Sequence, residues 1–180
     1  CPDLFELSVD GDVFDKRWVM LVSIGDSPSF QEGSRTQYFV GQFDGKTFVN
    51  EHTAKKPLWL DFGRDNYAGV SWSDLPEGDG RRIYIGWMNN WRYANQVPTE
   101  EWRGAMTLPR ELSLISTESG VRLLQKVVSE FQSLRNHSKV IQDVIIESSN
   151  PITCDMHSHL MEVNLTFEKR DSASFGVIFE

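Results

Sequence analysis

Apolar residues in this chain fall in short runs of strand length, and no stretch sustains a 3.6-residue period. Residues 17–24, Arg-Trp-Val-Met-Leu-Val-Ser-Ile, are almost continuously apolar, which predicts a strand covered on both faces. Residues 36–48 predict a hairpin, with Asp44-Gly45 supplying the positive φ angles of a tight type I′ turn. Strands are predicted again over 67–72 and 81–88, on either side of the turn-rich Pro76-Glu77-Gly78-Asp79-Gly80. Others are predicted at 105–108, 111–115 and 121–126. Residues 1–60 and 61–127 therefore look like two loose copies of a four-stranded unit. Repeated around an axis, such sheets make a β-propeller, whose stacked blades bury both faces of their strands. A plain antiparallel sandwich fits the pattern equally well.

The pattern changes after residue 127. Residues 128–150 are polar and lack glycine, as a linker would, with a short helical turn expected near 128–134. Beyond them Met161, Val163, Leu165 and Phe167 alternate with Glu162, Asn164 and Thr166, which predicts a half-buried strand. Phe175, Val177 and Phe179 repeat the alternation after a turn at Asp171-Ser172. Two strands make no stable layer by themselves, so residues 151–180 are expected to begin a second domain that stops short.

Composition narrows the function. A formal charge of −8 over 180 residues argues against nucleic acid, whose phosphates need a basic face. No apolar run reaches the length of a membrane helix. Cys1 and Cys154 are too few for a disulfide framework and are expected as free thiols. Asn136-His137-Ser138 and Asn164-Leu165-Thr166 are glycosylation acceptors if the source is a secreting eukaryote. Cys154, His157 and His159 superficially offer zinc ligands, but no fourth ligand lies nearby, so the histidines are expected to be structural and no metal is expected. No phosphate-cradling glycine loop and no Ser-His-Asp order in a nucleophile context is present.

Among the carboxylates, Asp3, Glu6, Asp61 and Asp65 sit in strand-like or motif-like surroundings. Asp74, Glu77, Asp79, Glu100 and Glu101 lie in turn-rich stretches and are expected as solvated surface charges. Spacing alone singles out no acid/base pair.

Three stretches carry a resemblance. They are Cys1-Pro2-Asp3-Leu4, Asp61-Phe62-Gly63-Arg64-Asp65-Asn66-Tyr67-Ala68, and Gly86-Trp87-Met88-Asn89-Asn90-Trp91, the last continuing through Arg92-Tyr93-Ala94-Asn95-Gln96-Val97-Pro98-Thr99. Together they resemble family 32 of the glycoside hydrolases, the levanases, exo-inulinases and invertases, over residues 1 to about 126. The resemblance implies an all-β fold. Residues 1–127 would be the last two blades of a five-bladed β-propeller, 128–150 a linker, and 151–180 the first strands of a truncated β-sandwich. It also implies a retaining hydrolase that releases terminal β-D-fructofuranosyl units from levan, inulin or sucrose, secreted and without a cofactor. The implied partner is that fructan or sucrose substrate, with no nucleic acid and no membrane.

The same resemblance implies where the chemistry is not. The family places an aspartate nucleophile in Asn-Asp-Pro-Asn, a transition-state-stabilising aspartate in Arg-Asp-Pro, and its acid/base glutamate directly before Cys-Pro. The first two motifs are absent, and the glutamate would stand immediately before Cys1. All three catalytic carboxylates are thus expected outside this chain, which alone should be inactive. What remains is pocket wall: Asp65 and Tyr67 facing the cleft, Asn90 bonding sugar hydroxyls, and Trp91 as an aromatic platform, with Trp87 continuing the Ile83 and Ile85 face into the core. A non-catalytic carbohydrate-binding or structural fragment is the alternative.

Overall fold

The computed structural model describes residues 2–28, 31–53, 57–147, 151–154, 158, 160–168, 174 and 176–178. The chain divides into two compact units, Cys1–Asn136 and His137–Glu180.

The first unit is all-β. Among the described residues it forms one open sheet of ten strands. These are β1 (Asp3–Val9), β2 (Asp12–Ile24), β3 (Arg35–Phe43), β4 (Phe48–Asn50), β5 (Leu58–Trp59), β6 (Tyr67–Ser71), β7 (Arg82–Met88), β8 (Ala105–Met106), β9 (Arg110–Thr117) and β10 (Gly120–Val127). Strands β1 to β4 pair antiparallel in chain order. Strands β6, β7, β9 and β10 do the same. The two four-stranded arrays meet where Val9 pairs parallel with Leu114 and the Asp10 N–H donates to the Leu114 carbonyl at 2.9 Å.

Strand periodicity decides which side chains are interior. Val19 and Leu21 of β2, Tyr38 and Val40 of β3, and Leu112 and Leu114 of β9 sit two apart on their strands and share one core with Phe5, Val9, Leu60, Tyr84 and Leu123 of β10. Both arrays contribute to it. Each fully buried Val or Leu supplies about 1.5–3 kcal/mol relative to exposure. No residue of 17–24 is fully exposed, in keeping with the run expected to be covered on both faces.

The Asp-Gly dipeptides at 10–11 and 44–45 behave differently. Asp10-Gly11 makes the two-residue turn between β1 and β2, with φ of 52° and 79° and Val9 paired to Asp12. The type I′ turn expected at Asp44-Gly45 is not formed. Only Gly45 takes a positive φ (91°), and Phe43 pairs with Phe48 across a four-residue connection. The cause is the Asp44 side chain, whose Oδ1 accepts from the N–H groups of Lys46 (2.8 Å) and Thr47 (2.7 Å) and holds a wider loop. A 3-10 helix at Ser129–Leu134 occupies the place of the expected helical turn.

In the second unit the described residues form no strand. Met161, Val163, Leu165 and Phe167 are exposed, so their alternation is not used in a ladder here. Phe175, Phe179 and the turn at Asp171-Ser172 lie outside the described residues, as do Cys1, His157 and His159. Cys154 is exposed and free.

Candidate functional site

Residues 61–67 lead into β6, and residues 87–96 leave β7. Because β6 and β7 are paired, the two segments lie side by side, and polar contacts fix them to each other. Tyr67 is opposite Trp87 in the ladder. Just beyond it the register slips, with Ala68 at φ 50°, an uncommon angle for a residue with a Cβ. Two bonds then fix the strand interior: Tyr84 donates from its hydroxyl to Asn66 Oδ1 at 2.8 Å, and Thr36 Oγ1 donates to the Asn66 carbonyl at 3.1 Å. Close packing here requires glycine at position 86, where a Cβ would stand 2.2 Å from Asn66 Oδ1.

Asn90 lies deeper than its expected role of bonding sugar hydroxyls. It is 0% exposed, and its Nδ2 donates to the carbonyls of Glu32 (2.8 Å), Arg64 (2.9 Å) and Ser34 (3.3 Å). The side chain thereby ties the β7 exit to the loop between β2 and β3 and to the approach to β6. Its Oδ1 accepts from the Arg92 N–H at 3.1 Å, while Asn89 Oδ1 accepts from the Asn90 N–H at 2.8 Å. The turn closes on itself as the Tyr93 and Ala94 N–H groups donate to the Asn90 carbonyl at 3.1 and 2.8 Å.

That framework carries an aromatic row. Trp91 remains 53% exposed although its N–H donates to Ser34 Oγ at 3.2 Å. Its ring lies 5.1 Å from that of Trp87, which lies 6.4 Å from that of Tyr67. Trp87 is half-buried and stands outside the core cluster, contrary to the core position expected for it. Alternation along β7 does group it with Ile83 and Ile85. The side that enters the core, however, is that of Tyr84, and periodicity cannot say which of two apolar faces goes inside.

Three carboxylates of the motif-like stretches, Asp65, Asp61 and Asp3, are each engaged by donors. Asp65 is half-buried and accepts a hydrogen bond from the Tyr93 hydroxyl on Oδ1. Burial, reinforced by the bond to Asp65 and its charge, pushes the Tyr93 hydroxyl up to about 12 against an opposing effect from Arg64. Asp61 accepts from the Gly63 N–H (2.9 Å), Asn66 Nδ2 (3.3 Å) and the Arg110 guanidinium (3.0 Å). Burial alone would raise its carboxyl, but these donors outweigh burial and hold it below the ordinary carboxylate range. Asp3 Oδ2 accepts from both the N–H and the hydroxyl of Ser71, each at 2.7 Å.

Of the residues expected in the site, Asp65, Tyr67 and Trp91 are thus partly open to solvent and belong to one linked surface, with Asn90 beneath it. Tyr93 and Trp87 were not foreseen there. The extended Trp-Arg-Tyr stretch was the available signal for Tyr93. Among the described residues no group of three or more His, Cys, Asp or Glu could hold a metal ion.

Residues 1–127 match the family model described as the glycosyl hydrolases family 32 N-terminal domain. A levanase of Bacillus subtilis (strain 168) is 47% identical over 179 residues, covering 98% of this chain and 26% of the levanase. An extracellular exo-inulinase of Aspergillus niger is 34% identical over 181 residues, covering 97% of this chain and 33% of the inulinase. Among solved structures, an exo-inulinase from Aspergillus awamori superposes with a TM-score of 0.63 at 36% identity, covering 74% of this chain and 26% of that one. The chain therefore spans 26% of the length of that levanase and 33% of that inulinase.

Proposed function

Because the chain belongs to family 32 of the glycosyl hydrolases, we propose that it forms part of the sugar pocket of a longer, retaining β-fructosidase acting on levan, inulin or sucrose. Names of relatives support the substrate class, since one is a levanase and another an exo-inulinase. Secretion is the matching proposal for location, supported by the extracellular inulinase. The single observation that carries the reading is Trp91. A half-exposed indole, held by a buried clamp and backed by a second indole, is a rigid apolar plate beside hydrogen-bonding groups. A furanose ring has one apolar face and a rim of hydroxyls, which suits that combination.

Within the proposal, residues 1–127 are the last two blades of a five-bladed propeller, a reading supported by the two four-stranded arrays. Residues 128–150 link them to the start of a sandwich at 151–180, where exposed apolar side chains await covering strands. Asp65 and Tyr67 contact the sugar, Trp91 stacks on it, and Asn90 shapes the wall from behind. The nucleophile, the stabilising aspartate and the acid/base glutamate come from residues outside this chain. Support for that division lies in the sequence, which holds neither an Asn-Asp-Pro-Asn nor an Arg-Asp-Pro stretch. In the longer enzyme the glutamate protonates the leaving oxygen while the aspartate attacks the anomeric carbon, and water then releases fructose with retention.

Trp91→Ala in the longer enzyme tests this reading. Loss of the plate should lower kcat/KM for levan or inulin about tenfold or more while the unfolding temperature holds. An unchanged kcat/KM would remove Trp91 from the pocket.

A further inference from the structure

Tyr93 caps the 3-10 turn at Ala94–Gln96, and its position follows from the turn that Asn90 anchors. From there the ring reaches back across to the segment before β6, and its hydroxyl donates to Asp65 Oδ1. Asp65 lies two residues before Tyr67, and Tyr93 two residues after Trp91. The bond therefore joins the backbone stretches that carry the two aromatic members of the proposed sugar wall. Among the described residues Tyr93 is the hydrogen-bond partner of Asp65, and it occupies one of the two carboxylate oxygens.

We propose that Tyr93 is a positioning residue for substrate: its hydroxyl fixes the Asp65 carboxylate in one orientation and leaves Oδ2 as the acceptor for a fructosyl hydroxyl. This rests on the reading of Asp65 as a sugar contact. A carboxylate on a loop can rotate about two side-chain torsions, and each unproductive rotamer competes with binding. A charge-assisted hydrogen bond from a ring held by its own turn removes that freedom before the sugar arrives. The phenol suits the task, because its affinity for its proton keeps it a donor through the neutral and mildly alkaline range. Phenylalanine would fill the same space and donate nothing, which makes the claim separable from packing.

The test uses the longer enzyme with sucrose and a levan oligosaccharide as probes, in four forms: unaltered, Tyr93→Phe, Asp65→Ala, and both together. Losing one hydrogen bond to a charged group should raise KM about tenfold in Tyr93→Phe, by more than kcat falls. In the Asp65→Ala background the same change should have no further effect, since Tyr93 acts through Asp65. An unchanged KM in Tyr93→Phe overturns the inference, and so does an equal rise in both backgrounds. If Asp65→Ala itself leaves KM unaltered, the sugar-contact reading of Asp65 fails as well. If Asp65→Ala raises KM but Tyr93→Phe does not, only the role of Tyr93 is lost. Should Tyr93→Phe not fold, Asp65→Asn carries the test. Its amide oxygen still accepts from Tyr93 while an NH2 replaces Oδ2, so KM should rise at constant unfolding temperature; an unaltered KM would sink the inference.

Discussion

One amide nitrogen, Asn90 Nδ2, meets three carbonyls from two separate loops. That arrangement depends on Gly33, which takes φ +84° and lets its backbone pass so close that a Cβ would stand 2.2 Å from Asn90 Oδ1 and 2.9 Å from Arg92 Cγ. Two penalties combine in Gly33→Ala: the left-handed backbone disfavours any Cβ, and the added carbon collides with a fully buried side chain. The expected loss is about 3 kcal/mol in unfolding free energy, measured by urea denaturation. In the longer enzyme proposed above, lower activity should accompany it as Trp91 shifts; a change within about 0.5 kcal/mol would show that the clamp yields easily. Asn90 also shows what residue type leaves open. An asparagine beside two tryptophans is as suited to sugar hydroxyls as to carbonyls, and only the approach of the 32–34 and 64 backbones decides the matter. Trp87 is a similar case, because its ring became accessible only when Tyr84 took the interior position.

At the level of strands, β1 and β6 are not neighbours in the sheet, yet Asp3 joins them through both donors of Ser71. Arg82 adds to this contact, its guanidinium 4.8 Å from the centre of the Phe5 ring and its Nη1 donating to the Trp72 carbonyl at 2.9 Å. Asp3→Ala should cost about 1.5–3 kcal/mol, since two hydrogen bonds to a charged acceptor disappear and the partly buried Ser71 N–H is left unpaired. Asp3→Asn keeps an acceptor and should cost about half as much, so the urea midpoints should fall in the order wild type, Asn, Ala. Equal midpoints for the two variants would mean the carboxylate charge, and not the acceptor, holds β6. Most strands were legible beforehand, because runs such as 17–24 and 82–88 have few alternatives to a strand covered on two sides. Connections were less so. The same Asp-Gly pair closes a two-residue turn at 10–11 and a four-residue loop at 44–47. The outcome depends on whether the aspartate side chain captures the N–H groups ahead of it.

For the molecule as a whole, the shared core means the two arrays of the first unit lose their packing together, since Val19, Val40, Leu112 and Leu114 bury one another's surroundings. Beyond residue 136 the described apolar side chains are mostly exposed, Leu160 at 91% and Ile178 at 84%, so little cooperativity resides there. Polar contacts at the seam of the first unit make its stability depend on pH. Asp61 is bonded by Arg110, which also donates to Gln125 Oε1 at 3.0 Å, and Gln125 Nε2 in turn donates to the Leu60 carbonyl. The segment between β5 and β6 is thereby tied to β9 and β10. Because the Asp61 carboxyl is held below its ordinary value in the fold, the folded state binds its proton less tightly than the unfolded chain does. Its contribution is therefore complete above the unfolded pKa near 4 and disappears as pH falls through the lower, folded one. Asp61→Asn should be less stable than the parent by about 1–2 kcal/mol at neutral pH, with the gap closing steadily below about pH 4. Urea titrations of both proteins at several pH values measure that gap. A difference that stays constant down to strongly acid pH would show that Asp61 acts through its shape and neutral hydrogen bonds, and that the Arg110 charge contributes nothing to the seam.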